Sequence, residues 1–161
     1  MEKEGPLFFS TDVEWSEALQ GQLRSPGLPT LQVATPPEFH GHEGIWTPEH
    51  LFVASVNACL MTTFLAIAAN SKLEIVSFSC EAKGTLEKVE GLGYQMTEVL
   101  LRPRLTIRQR RDLERAARIL EKAEKNCLIS NSIKSAVKLE PQIFCEQNPT
   151  VPCPPVPESA L

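Results

Sequence analysis

Hydrophobic and polar positions change rhythm several times along the chain, and each change marks an element. Short apolar runs at Phe8-Phe9, Val13 to Trp15, Leu19 to Leu23 and Leu31 to Val33, with Ser25-Pro26-Gly27 turning the chain between the last two, predict a meander of strands. Prolines and glycines from Thr35 to Thr47 break both periodicities and predict a loop. Thr47-Pro48-Glu49 reads as a helix start: a hydroxyl to cap a free amide, a proline at the first position and a carboxylate at the positive end of the dipole. The helix is expected to reach Ala69 or Asn70.

Alternation over Glu74 to Leu86 puts Val76, Phe78, Cys80 and Ala82 on one face of a strand. Glu90-Gly91-Leu92-Gly93 then turns the chain, and Tyr94 to Ile107 returns as the second arm of a long hairpin in which Pro103 predicts an edge or a bulge. Leu113, Ala116, Ala117, Leu120 and Ala123 recur at helical spacing within Arg110 to Lys125, and the same series lands on Cys127. A capped turn at Leu128 to Ser132, a further helical turn at Ile133 to Ala136 and a last strand at Val137 to Phe144 complete an α+β fold. One domain is expected over residues 1–145, followed by a proline-rich tail over 146–161.

Composition narrows the function classes. A 161-residue chain with 42% hydrophobic residues can bury one sizeable core, and a net charge of −4 disfavours nucleic acid as the partner. The opening residues lack a basic region leading into an apolar run, so a cytoplasmic address is expected. Five cysteines without a C-x-x-C pair indicate neither a disulfide scaffold nor a zinc knuckle.

Leu51 to Asn70 carries no charge and has the length of a membrane span, about 20 residues. Ser55, Asn57, Thr62, Thr63 and Asn70 dilute it, and no basic cluster or aromatic belt flanks it, so no membrane partner is expected. A helix apolar all round is better explained by burial inside a protein or a dimer.

Two motifs occur in order: Thr47-Pro48-Glu49-His50-Leu51 leading to Asn57-Ala58-Cys59-Leu60, and Cys127-Leu128-Ile129-Ser130-Asn131-Ser132-Ile133-Lys134. With the hairpin between them, the chain resembles the OsmC/Ohr family of organic hydroperoxide resistance proteins from about Val13 to Ile143. The resemblance implies an intertwined homodimer, antiparallel strands wrapped around two long central helices, with active sites at the subunit interface. It further implies that Cys59 attacks an organic hydroperoxide and becomes a sulfenic acid, that Cys127 condenses with it to a disulfide, and that an external dithiol reduces the disulfide. No prosthetic group is required.

The family also places an arginine in the first hairpin, oriented by a glutamate at the head of the long helix. Glu49 matches the glutamate, but the arginine's position reads Leu19-Gln20-Gly21. Arg24 is a candidate substitute. Ten helical residues set Glu49 about 15 Å along the axis from Cys59, so the two need an intermediary.

Phe52, Val56 and Phe64 beside Cys59 would favour alkyl or lipid hydroperoxides. A non-catalytic dimeric binding protein with unactivated thiols is the alternative. The loop Glu38-Phe39-His40-Gly41-His42-Glu43, with His50, raises a third possibility, a metal site, although an H-x-H pattern also suits a surface loop. Cys80 reads as packing, and Cys145 and Cys153 read as adventitious thiols at and beyond the last strand.

Overall fold

The structure, a computed structural model, describes residues 5–146 and Pro152. The expected tail, with Cys153, otherwise lies outside the described residues. Two compact units meet within the first turn of the long helix, one ending at Leu51 and the other starting at Phe52.

In the first unit, β1 (Asp12–Glu17), β2 (Gln20–Arg24) and β3 (Leu31–Ala34) form an antiparallel sheet in sequence order. The meander is as the apolar runs predict, except that Phe8 and Phe9 lie outside any strand and are exposed. Every residue of β1 is exposed, Trp15 at 74% and Val13 at 68% among them. The loop after β3 holds a single 3-10 turn, Pro37–Phe39. Gly41 is required there, since a Cβ would lie 1.6 Å from the Thr35 carbonyl oxygen.

Helix α1 (Pro48–Asn70) opens where the Thr-Pro-Glu signal predicts, with the Thr47 hydroxyl accepting the His50 amide at 3.3 Å. It ends in a left-handed residue, Lys72 (φ 52°). The Leu73 amide bonds the Ala68 carbonyl at 2.9 Å and the Lys72 amide bonds that of Ala69 at 3.0 Å, which satisfies carbonyls the helix leaves open.

In the second unit, β4 (Ile75–Val89) and β5 (Gly93–Ile107) make the long hairpin, and α2 (Leu113–Lys125) follows a 3-10 turn at Arg110–Asp112. Two elements differ from expectation. Ile133 to Ala136 forms no helical turn, because Ala136 already opens β6 (Ala136–Leu139). The single last strand is two, β6 and β7 (Gln142–Cys145), divided at Glu140-Pro141, and both run parallel to β5.

That division also explains Pro103, which sits in the central strand with no bulge beside it. The Leu101 and Ile107 carbonyls accept from Glu140 and Glu146, so odd-numbered residues of β5 turn their backbone groups toward β6 and β7. Pro103 falls opposite neither strand, since β6 ends against Leu101 and β7 begins against Arg104. The missing N–H therefore costs no ladder bond.

Val99, Leu101, Leu105 and Ile107 of β5 share one fully buried face. Val56, Leu60, Phe64 and Ala68 of α1 and Ala116, Ile119, Leu120 and Ala123 of α2 join them in one core. A β-bulge between Ile75 and Ser77 takes Val76 out of the expected strand face, leaving it 43% exposed. Cys145 is not adventitious: it is buried at the end of β7 and belongs to the core.

Candidate active site

Cys59 and Cys127 come together in the second unit. Cys59 lies on α1 at the edge of the buried stripe formed by Val56, Leu60 and Phe64, and Cys127 follows the last turn of α2, where the apolar series carries it into the core. Both are buried free thiols. The Cys127 side chain hydrogen-bonds toward the Cys59 sulfur, and the Ile129 and Leu128 amides and the Thr63 hydroxyl converge on the same atom. Thr63 Oγ1 is 3.9 Å from Cys59 Sγ.

The two sulfurs have opposite acidities. Burial pushes Cys59 up, but the donors from Cys127, Ile129, Thr63 and Leu128 outweigh it and hold the thiol below its ordinary value. Burial also pushes Cys127 up, its bond to Cys59 adds to this, and the Ser130 hydroxyl and amide oppose it only in part. Of the two, Cys59 is the sulfur whose surroundings favour the thiolate.

The loop that presents these donors is braced. Asn131 Nδ2 donates to the Lys125 carbonyl at 3.0 Å, the Ser132 hydroxyl to that of Leu128 at 2.7 Å, and the Asn131 amide to that of Cys127 at 3.0 Å. Sequence reasoning missed the Leu128 and Ile129 amides, since backbone donors leave no side-chain signature. Thr63 had a signal, a polar residue one turn beyond Cys59 in an apolar helix.

Other candidates are placed elsewhere. Arg24 Nη1 lies 2.6 Å from Glu14 Oε2 and 3.9 Å from Asp12, and its Nη2 donates to Gln22 at 2.7 Å, so this guanidinium is engaged within its own sheet. Glu49 Oε2 is buried without a hydrogen-bond partner among the described residues. Val56 and Phe64 are walled into the core, Phe64 stacking on Phe78 at 5.0 Å, and cannot line an entrance. Leu128, next to Cys127 and 67% exposed, is the apolar side chain facing solvent there.

His50 pairs its Nδ1 with the Thr47 hydroxyl at 2.9 Å and meets Trp46 edge-on at 6.2 Å, and His40 takes a left-handed conformation at the end of the 3-10 turn. Among the described residues, no three His, Cys, Asp or Glu side chains are grouped to hold a metal ion.

The family model of OsmC-like proteins matches residues 41–142, nearly two thirds of the chain and both cysteine motifs. The chain belongs to the OsmC-like family. An uncharacterised Bacillus subtilis protein, YmaD, is 24% identical over 123 residues, covering 74% of this chain and 81% of its own length. An OsmC-like protein of unknown function from Vibrio cholerae shares the fold with a TM-score of 0.78 at 24% identity, over 84% of this chain and 99% of that one. An organic hydroperoxide resistance protein from Elizabethkingia anophelis does so with a TM-score of 0.71 at 20% identity, over 89% and 99%. The OsmC-like family thus joins proteins named for hydroperoxide resistance to others without an assigned function.

Proposed function

We propose that this OsmC-like chain is a cysteine peroxidase that reduces organic hydroperoxides. The observation that carries the reading is the pair of buried free thiols set against each other, with hydrogen-bond donors gathered on Cys59. The Cys59 thiolate attacks the terminal peroxide oxygen, the O–O bond breaks, and the alkoxide leaves as the alcohol after taking a proton, giving Cys59 sulfenic acid. The Cys127 sulfur, losing its proton, then attacks the Cys59 sulfur, water leaves, and a disulfide forms. An external dithiol, oxidised in turn, restores both thiols. A reducing cytoplasm fits this cycle, and none of these steps calls for a prosthetic group.

The acting species in this reading is a homodimer. The outer face of α1, Ala58, Met61, Leu65 and Ala69, is apolar and exposed. By length and composition α1 could cross a membrane, and only 28% of its most apolar window is buried within the chain. Trp15 and Val13 on β1 are likewise uncovered. A second copy covers such surfaces without lipid.

Turnover of cumene hydroperoxide with dithiothreitol tests the reading. Activity should vanish in Cys59→Ser, Cys127→Ser should accumulate a sulfenic acid trapped by dimedone, and the oxidised wild type should carry a Cys59–Cys127 crosslink. Leu65→Asp should shift sedimentation from dimer to monomer. The engagement of Arg24 by Glu14 favours a second reading, a dimeric binding protein with slow thiols. Cys59 oxidation no faster than that of free cysteine, and indifferent to Cys127→Ser, would establish it.

A further inference from the structure

Two adjacent threonines on α1 use their hydroxyls differently. Thr62 Oγ1 donates back along the helix, to the Ala58 carbonyl at 3.1 Å and the Cys59 carbonyl at 3.2 Å. Thr63, half-buried one turn beyond Cys59, instead has the Cys59 sulfur as its hydroxyl's partner. An i, i+4 spacing stacks two side chains on one helix face, so the contact is built into the helix and needs no loop to close.

The surroundings give this contact its weight. The titratable group facing Cys59 from the loop between α2 and β6 is Cys127, and that loop's other donors are the uncharged amides of Ile129 and Leu128. Among the described residues of the unit that holds both sulfurs, no charged side chain is among the groups acting on Cys59. The position where the family resemblance calls for an arginine is Gln20, whose side-chain oxygen accepts from Gln32 at 2.9 Å within its own sheet.

We infer that Thr63 is a catalytic residue, the side-chain hydroxyl that stabilises the attacking sulfur of Cys59, a role that rests on and deepens the peroxidase reading. As negative charge develops on Cys59, the Thr63 O–H turns to donate to it. A donor hydroxyl within reach of the sulfur favours its charged form over the neutral thiol.

The test uses the full chain and reads ionisation separately from turnover. Alkylation of Cys59 by iodoacetamide, followed peptide by peptide across pH, is measured for wild type, Thr63→Val and Thr63→Ser. Valine keeps the branched shape and removes the donor. Its profile should move to higher pH, slowing alkylation about fivefold below the midpoint, with the alkaline plateau unchanged, and serine should restore the wild-type curve. A Thr63→Val profile that superposes on wild type would overturn the inference, as would a shift that serine fails to reverse. Should valine impair folding, Thr63→Ala against Thr63→Ser makes the same comparison. If the profiles shift as expected while cumene hydroperoxide is turned over by none of the proteins, the Thr63 donor stands and the peroxidase reading falls.

Discussion

A single methyl group at position 84 should loosen the seat of α1. Gly84 on β4 faces the helix, and a Cβ there would lie 2.4 Å from Met96 Cε and 2.5 Å from Val53 Cγ2. Carbon atoms rest at about 3.5 to 4.0 Å, so each contact is short by roughly an ångström or more. Met96 can swing its thioether aside. Val53 cannot, because a β-branched side chain in a helix has one strongly preferred rotamer, and relief there means moving the helix. Overpacking of this kind costs about 1 to 3 kcal/mol, offset by about 0.5 to 1 kcal/mol from replacing glycine in an extended strand. Gly84→Ala should thus destabilise by about 0.5 to 2 kcal/mol, read as a lower urea midpoint at fixed protein concentration. The assay that assigns the cause is a double-mutant cycle with Val53→Ala, where the two changes should be less harmful together than their sum. A Gly84→Ala protein as stable as wild type, or effects additive within about 0.5 kcal/mol, would refute the packing argument.

Cys80 should be the slow thiol. Burial, aided by the Glu81 charge and opposed by a hydrogen bond from the Arg102 backbone, pushes it up to about 11, so at pH 8 only about 0.1% is thiolate, against roughly a quarter of an ordinary thiol. Its alkylation, timed by peptide mass spectrometry, should lag that of a denatured control about two hundredfold and rise about tenfold per pH unit up to about pH 11. Arg115 of α2 donates to the Ser71 and Lys72 carbonyls at 3.4 and 3.5 Å and pairs with Asp112 at 3.1 Å, tying α2 to the end of α1. Arg115→Met, which keeps the apolar stem, should lower stability by about 1 kcal/mol in urea titration.

Legibility in the sequence followed contrast. The α2 face was readable because its apolar residues stand against a charged side, and following that face by helical spacing led to Cys127. The core side of α1 was not readable: Val56, Leu60, Phe64 and Ala68 are buried while Ala58, Met61, Leu65 and Ala69 are exposed, and both sets are apolar. The division of the last strand was hidden for a related reason. Pro141 punctuates an otherwise β-like run, and only the parallel pairing of both halves with β5 shows that it ends one strand and precedes another. Val56 and Phe64 lie three and five residues from Cys59 along the helix, but both are fully buried in the core, so nearness in sequence does not set them at an entrance.

The donors around Cys59 were the least legible part, and they bear most on mechanism. The segment that carries Cys127 also supplies the Leu128 and Ile129 amides, so in the proposed cycle thiolate stabilisation and disulfide closure would depend on one loop. Its bracing by Asn131 and Ser132 therefore acts on both steps. Once Cys127 is drawn into a bond with Cys59, the Cys127 S–H donor is lost. Thr63, anchored on the same helix as Cys59, does not depend on that loop. A site built this way keeps one donor on the helix of Cys59 and the others on the segment that carries Cys127.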